Sequence, residues 1–372
     1  MPNISMLIKP ASSNCDLRCK YCFYHSIAEN RIIQSYGIMS IDTLECIVKK
    51  ALDYSDNMCT FAFQGGEPTI AGIDFYKKLI EFVKLYNKKN VTVNFSLQTN
   101  GILINDEWAR FLAENNFLVG VSLDGPKDIH NAHRIDTNNN GTFNKVMKAI
   151  ELFNKFKVQY NIVYVVTALS ARYANKIYNL FKKNNFRYIQ FIPCLDPINE
   201  KRGKHPYSLK PLDFEKFLRL TFDLWYEDFI KGDYVSVRYF DNLVGIIQGH
   251  APEACGMSGR CQVQCVIEAD GGVYPCDFYA IDKWNMGNIN DREIEDILSC
   301  ETAKDFVKVS LPVAQECKEC NWVSICRGGC RRERENFQEE VIDLNYYCTA
   351  YREFFNYAYT RLENVAKIAS RR

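Results

Sequence analysis

The chain has 372 residues, 47% of them hydrophobic and 24% charged, with a formal net charge of +1. These figures describe an ordinary soluble globular protein of two or three domains and exclude a global field that would draw nucleic acid or an anionic membrane. No apolar run is long enough to span a bilayer and the opening residues lack a signal-peptide core, so the sixteen cysteines are expected in the reducing cytosol, as metal ligands rather than disulfides.

In chain order, a first short strand at Met6–Ile8 is followed by a cysteine loop, Cys15-Asp-Leu-Arg-Cys19-Lys-Tyr-Cys22. Further apolar strands are expected at Thr60–Phe63, Thr92–Leu97, Leu118–Leu123, Asn161–Val166 and Tyr188–Ile192. Between them lie amphipathic stretches at Ile41–Tyr54, Asp74–Asn87, Asp106–Asn115, Phe143–Phe156 and Arg172–Asn184. Repeated strand–helix units imply a parallel sheet with helices outside it, as an open doubly wound sheet or an incomplete barrel. Polar, glycine-containing segments fall just after the strands: Gln64-Gly65-Gly66-Glu67-Pro68, Gln98-Thr99-Asn100-Gly101 and Ser122-Leu123-Asp124-Gly125-Pro126. Parallel α/β folds bind ligands at the carboxyl ends of their strands, so these segments and the cysteine loop are expected to face one another.

From about Lys201 the pattern changes. Phe214–Phe229 reads as an aromatic-rich helix, Tyr234–Tyr239 as a short strand and Asn345–Ala366 as a closing helix. Between them, from Cys255, runs a region rich in cysteine and glycine with little periodicity, which needs metal to hold it.

The cysteines carry most of the chemistry. Three thiolates in the N-terminal loop cannot close a four-iron cluster and leave one iron open; zinc, which takes four ligands in close pairs, fits this triad poorly. The second set, Cys255, Cys261, Cys276, Cys317, Cys320, Cys326, Cys330 and Cys348, has enough thiolates to close two clusters, although Cys317-x2-Cys320 also looks like half of a zinc knuckle. Cys46 and Cys59 read as packed core thiols, and Cys265 is an alternative ligand near Cys261.

The cysteine loop with Tyr21 before its last cysteine, together with Gly65-Gly66-Glu67-Pro68, resembles the radical S-adenosylmethionine (SAM) superfamily. The resemblance implies a partial (β/α)6 TIM-like barrel in which Cys15, Cys19 and Cys22 hold a [4Fe-4S] cluster. Its open iron binds the amino and carboxylate groups of SAM. Reductive cleavage then gives a 5′-deoxyadenosyl radical. Gly65, Gly66 and Glu67 are expected around the SAM ammonium, with the glycines admitting the ligand closely and backbone carbonyls and the carboxylate accepting hydrogen bonds. Ser122 matches a ribose contact, Arg134 a partner of the SAM carboxylate and Leu195 an adenine contact. His130 and His133, near Arg134, are expected at the surface.

The C-terminal cysteines resemble the SPASM domain, a carrier of two auxiliary [4Fe-4S] clusters. By that resemblance, Cys255, Cys261, Cys276 and Cys330 hold the first, and Cys317, Cys320, Cys326 and Cys348 the second. The implied organisation is a partial barrel over 1–205, a connecting segment over 206–254, the SPASM domain over 255–348 and a closing helix over 349–372.

Within this class the chain is similar, nearly end to end, to the anaerobic sulfatase-maturating enzymes. The similarity includes Ser35–Met39, Phe61–Pro68, Arg238–Asp241, Val273–Tyr279 and Gly328–Arg332. It implies oxidation of a cysteine or serine in a Cys/Ser-x-Pro/Ala-x-Arg motif to Cα-formylglycine. Asp277 matches the family's base, and its neighbours Phe278 and Tyr279 are expected to shield it and favour proton transfer. Tyr24, Gln64 and Gln98 are expected to contact substrate. The implied partners are an unfolded or nascent sulfatase polypeptide and a flavodoxin or ferredoxin-type reductant, in the cytoplasm. Other peptide-modifying enzymes of the class, such as thioether-forming ones, share these clusters. A non-catalytic iron–sulfur electron carrier would explain the cysteines but not the triad paired with Gly65–Pro68.

Overall fold

The computed structural model describes residues 2–337 and 341–370. Its principal strands in chain order are β1 (Ile4–Ile8), β2 (Met58–Phe63), β3 (Thr92–Thr99), β4 (Phe117–Ser122), β5 (Gln159–Val166), β6 (Tyr188–Pro193), β7 (Ser236–Val237), β8 (Cys265–Ile267), β9 (Gly272–Tyr274) and β10 (Gly287–Asn288). The chain divides into two compact units, one formed by residues 1–122, 134–160 and 263–306, the other by 123–133, 161–262 and 307–372.

The first unit is built on the strand order β10-β9-β8-β1-β2-β3-β4. Strands β8, β1, β2, β3 and β4 run parallel, and β9 and β10 extend the sheet antiparallel. The register sets Met6 opposite Phe61, Phe61 opposite Phe95 and Phe95 opposite Phe117. The three rings stack at 6.2 and 5.0 Å between centroids and form one layer of the core. Because these strands share direction and register, the residues that follow them collect along one edge. Lys9 follows β1, Gln64 follows β2 and Glu268 follows β8, while Gln98 and Ser122 lie at the ends of β3 and β4. This edge is where a parallel sheet places a ligand site.

The four helices expected in this unit form close to their expected bounds, whereas Phe23–Glu29 and Ile294–Leu298 are helices the sequence reading did not include. The helix Ile41–Tyr54 starts where the Ser40 hydroxyl accepts a hydrogen bond from the Thr43 N–H at 3.0 Å. It buries Leu44, Ile47, Val48 and Ala51, whose spacing of three and four makes one apolar stripe.

The second unit contains β5 from residue 161, with β6 and β7 parallel to it. The helix Pro211–Lys231 has proline in its first turn and ends at Gly232 with φ of +79°, a left-handed conformation that glycine adopts without a Cβ penalty. It packs Phe222 against Phe354 of the closing helix Cys348–Ala369, with centroids 5.6 Å apart.

Two expectations change here. The strand read at Tyr234–Tyr239 is only two residues long, and Arg238 opens the helix Arg238–Ile247. The Asp241 carboxylate accepts hydrogen bonds from Tyr234 Oη at 2.7 Å and Ser236 Oγ at 2.6 Å, which turns the chain into that helix. The region after Cys255 also has more regular structure than its weak periodicity suggested, including β8 to β10 and the helix Glu301–Val309. Strands of two or three residues are too short to show a period. Among the described residues, no helix is long and apolar enough to cross a membrane.

Candidate active site

The Cys15–Cys22 loop and the Gly65–Pro68 turn are fastened to each other through the backbone. Gly66 N–H donates to Ser12 O and Glu67 N–H to Asn14 O, both at 2.8 Å. A Cβ on Gly66 would lie 2.1 Å from Asn14 O, so only glycine fits there, and Gly65 has φ of +121°. The glycines thus admit the backbone leading into the cysteine loop.

Glu67 is held by donors of the protein itself. Its side chain is turned inward and 1% exposed. Oε1 accepts from Thr69 N–H at 3.1 Å, Thr69 Oγ1 at 2.6 Å and Thr99 Oγ1 at 2.8 Å, while Oε2 accepts from Asn100 N–H at 2.8 Å. Burial raises its pKa to about 7 against the opposing pull of these four donors. The carboxylate therefore builds the turn and joins it to the end of β3.

Polar groups surround the sulfurs of the loop. Cys15 Sγ accepts from Leu17 N–H at 3.4 Å and lies 3.9 Å from Asn100 Nδ2, whose other contact is Asp16 Oδ1 at 2.7 Å. Arg134 places NH1 3.9 Å from Cys19 Sγ and its guanidinium 5.5 Å from the Tyr21 ring centre. Donors and a cation aimed at thiol sulfurs suit thiolates that carry negative charge when they bind iron.

The strand-end edge also holds a buried ionic cluster. Asp277 opens a short 3-10 turn after Cys276. Its Oδ1 lies 2.6 Å from Lys9 Nζ, and its Oδ2 accepts from Gln64 Nε2 at 2.5 Å. Lys9 is fully buried, 3.6 Å above the centre of the Tyr24 ring and 3.8 Å from Glu268 Oε1. Glu268, equally buried, pairs with Arg31 at 2.8 Å and accepts from the hydroxyls of Ser12, at 3.0 Å, and Tyr24. Two cations and two carboxylates thus balance one another, the condition on which buried charges are tolerated.

Of the residues singled out from sequence, Gln64 meets Asp277 directly, and Tyr24 meets it through Lys9. Gln98 Nε2 donates to Ser122 Oγ at 3.0 Å. Phe278 packs edge-on against Phe23 at 5.1 Å, and Tyr279 is buried against Phe306. Leu195 lies in the second unit, after β6. Lys9, Arg31 and Glu268 were missed. Their only sequence signal is a charged residue directly after, or close to, a run of apolar ones.

Two placements are corrected. His130 is fully buried, not at the surface, and its Nδ1 accepts from Asp124 N–H at 3.2 Å. Cys265 is a core thiol in β8, opposite Met6 of β1, so it is no alternative ligand. Burial raises its pKa to about 12, as it does for Cys59. Cys59 is the core thiol expected of it, whereas Cys46 is half-buried and its thiol donates to Ile289 O at 3.3 Å.

In the second unit, Cys317, Cys320, Cys326 and Cys348 line one pocket that opens to solvent, walled by Trp322, Val323 and Phe355. Cys330 packs beside Gly256, where an added Cβ would meet its own Cβ at 3.4 Å, and Cys261 N–H donates to Ser310 Oγ at 2.9 Å. Among the described residues, no three His, Cys, Asp or Glu converge as they would on a single metal ion. A zinc ion draws its thiolates to within about 4 Å of one another. Thiols spread around a cavity suit a cluster, in which each binds a different iron.

A cysteine triad beside a Gly-Gly-Glu-Pro turn, at the carboxyl ends of parallel strands, is the arrangement of a radical SAM fold. The family model for the radical SAM superfamily matches residues 10–170, and that for an iron–sulfur cluster-binding domain, SPASM, matches 255–321. The chain is 53% identical over 366 residues to the cysteine-type anaerobic sulfatase-maturating enzyme of Clostridium perfringens, covering 98% of this chain and 99% of that one. It is 32% identical to the serine-type anaerobic sulfatase-maturating enzyme of Bacteroides thetaiotaomicron, covering 95% and 88%. The structure described as native anSMEcpe with bound AdoMet and Cp18Cys peptide matches with a TM-score of 0.96 at 51% identity, over 99% of this chain and all of that one. The chain belongs to the anaerobic sulfatase-maturating enzymes, and its fold is their radical SAM partial barrel with a SPASM domain.

Proposed function

We propose that this chain oxidises a peptidyl cysteine to Cα-formylglycine in the sulfatase motif Cys-x-Pro/Ala-x-Arg. The observation that carries the reading is Asp277, a carboxylate held at the strand-end edge by Lys9 and Gln64, in a chain 53% identical to a cysteine-type enzyme. Cysteine is the preferred target over serine because identity to the serine-type relative is only 32%.

SAM and a reduced [4Fe-4S] cluster supply, when bound, the radical that takes a hydrogen from the β-carbon of the target cysteine. Cys15, Cys19 and Cys22 hold that cluster. Tyr21, Ser122 and Arg134, with the backbone of Gly65 to Glu67, line the SAM site. Asp277 accepts the thiol proton, and it is suited to this because Lys9 supplies the counter-charge while Gln64 fixes the second oxygen. Gln64 and Gln98 orient the peptide from the ends of β2 and β3. Cys317, Cys320, Cys326 and Cys348 hold one auxiliary cluster, and Cys255, Cys261 and Cys330 are ligands of the other. The substrate is a sulfatase polypeptide that is nascent or unfolded, in the cytoplasm, and the electrons come from a flavodoxin or ferredoxin.

The test is anaerobic. Reconstituted protein, SAM and a strong reductant are mixed with a peptide carrying Cys-x-Pro-x-Arg, and the peptide is analysed by mass spectrometry. Conversion of the cysteine to an aldehyde with release of 5′-deoxyadenosine is expected. Deoxyadenosine release with an intact peptide, or with a thioether cross-link, would overturn the assignment.

A further inference from the structure

Next to the cluster-ligand segments of the second unit lies a charge that neither the fold nor the proposed chemistry explains. Cys330 is followed by Arg331, Arg332, Glu333 and Arg334, all buried. Arg331 forms a two-pronged ion pair with Glu335, at 2.9 and 3.1 Å. Arg332 donates to Asp196 O at 2.6 Å and lies 4.7 Å over the Phe337 ring. Arg334, 4% exposed, makes no ion pair among the described residues. Its NH1 donates to Pro312 O at 3.0 Å, and its NH2 to Ser310 O at 2.9 Å and Gly259 O at 3.4 Å. Its Nε–H is buried and has no hydrogen-bond partner among the described residues.

Those contacts tie Arg334 to both ligand sets. Gly259 lies between Cys255 and Cys261, and Ser310 also holds Cys261 N–H. Pro312 leads into Cys317. Gly328 lies between Cys326 and Cys330, and a Cβ there would be 3.7 Å from Arg334 Cδ.

A guanidinium cannot shed its proton, so it cannot escape burial by becoming neutral. Buried without a counter-charge it is costly. A [4Fe-4S] cluster supplies that counter-charge, since its four thiolates outweigh the charge of the core. Cluster potentials are in turn set by nearby charge and by hydrogen bonds to sulfur.

We infer that Arg334 is the electrostatic link of the auxiliary pair, a fixed cation that raises their reduction potential and donates its Nε–H to a sulfur of one of them. The inference rests on the reading of these cysteines as ligands of two auxiliary clusters. A positive charge stabilises the more negative, reduced state, so it favours the clusters as acceptors of the second electron that leaves the substrate.

The test compares wild type with Arg334→Gln, which removes the charge, and Arg334→Lys, which keeps it. Each is reconstituted anaerobically as the full chain, assayed for iron and sulfide, and titrated by EPR-monitored reduction. In Arg334→Gln at least one auxiliary midpoint is expected to become more negative by at least 59 mV, a tenfold change in a one-electron equilibrium. In Arg334→Lys both auxiliary midpoints, and in every variant that of the SAM-binding cluster, are expected to stay within that limit. Unchanged midpoints in Arg334→Gln overturn the inference. Iron for a single cluster in wild type overturns the underlying cluster reading instead. If Arg334→Gln fails to hold its clusters, pulsed EPR on wild type labelled with 15N-arginine decides. Coupling of an arginine nitrogen to a reduced auxiliary cluster is expected, and its absence overturns the inference.

Discussion

Lys9 Nζ lies 2.6 Å from Asp277 Oδ1, joining the end of β1 to the residue after Cys276. The carboxylate is ion-paired and still has Oδ2 held by Gln64, so its orientation is fixed before substrate arrives. Replacing Asp277 by Asn keeps the shape and removes the proton acceptor. Aldehyde formation should fall by about 10²- to 10⁴-fold, the usual contribution of a general base. Deoxyadenosine release should continue. Measuring both products in one reaction checks this, since equal loss of both would place Asp277 in SAM cleavage.

Glu268 is the common partner of Lys9, Arg31, Ser12 and Tyr24. Glu268→Gln leaves Lys9 paired with Asp277 but removes the carboxylate that faces buried Arg31. Breaking a buried pair from one side costs about 3–5 kcal/mol. Thermal unfolding under anaerobic conditions should show a melting temperature several degrees lower, by the scale of about 2–4 °C per kcal/mol for large domains. A melting temperature equal to wild type would mean that the network contributes little to the fold.

Gly66→Ala places a methyl group 2.1 Å from Asn14 O, a backbone atom that cannot swing aside. The loop that carries Cys15 must shift. Iron content after reconstitution should drop by the amount of one cluster, while the auxiliary signals persist in the EPR spectrum. A full complement of iron with normal SAM cleavage would show that the turn tolerates the displacement.

Glu67 gives a pH dependence. Burial raises its pKa to about 7, above that of an unfolded chain, so the folded state binds the proton more tightly than the unfolded state. Stability from this group is fully present below the unfolded value and is lost as pH rises through 7. The span corresponds to about 3 kcal/mol. Between pH 5 and 8, wild type should therefore lose stability relative to Glu67→Gln, read as the difference between their melting temperatures. A constant difference across that range would exclude the titration.

Much of the fold was legible because its signals are local. The helices Ile41–Tyr54 and Phe143–Phe156 end where their periodicity ends, and the strands up to β6 are read to within two residues. The helix Arg238–Ile247 was not legible, because Val235 to Tyr239 alternate like a strand and the turn depends on the Asp241 side chain. Asp277, Gln64 and Tyr24 could be named from motifs. Lys9, Arg31 and Glu268 could not, since their meaning comes from the convergence of β1, β2 and β8, whose ends are remote in sequence. Glu67 was named, but its inward turn depends on Thr99 and Asn100 at the end of another strand.

The bonds that fasten the cysteine loop, from Gly66 N–H to Ser12 O, Glu67 N–H to Asn14 O and Asn100 to Asp16, involve no iron. These anchors of the loop do not depend on the metal, so they would persist if the cluster were lost. An iron site opened to a substrate is also open to oxygen. Damage there would remove the metal without breaking these anchors, which leaves the loop a template for rebuilding the cluster from iron, sulfide and electrons.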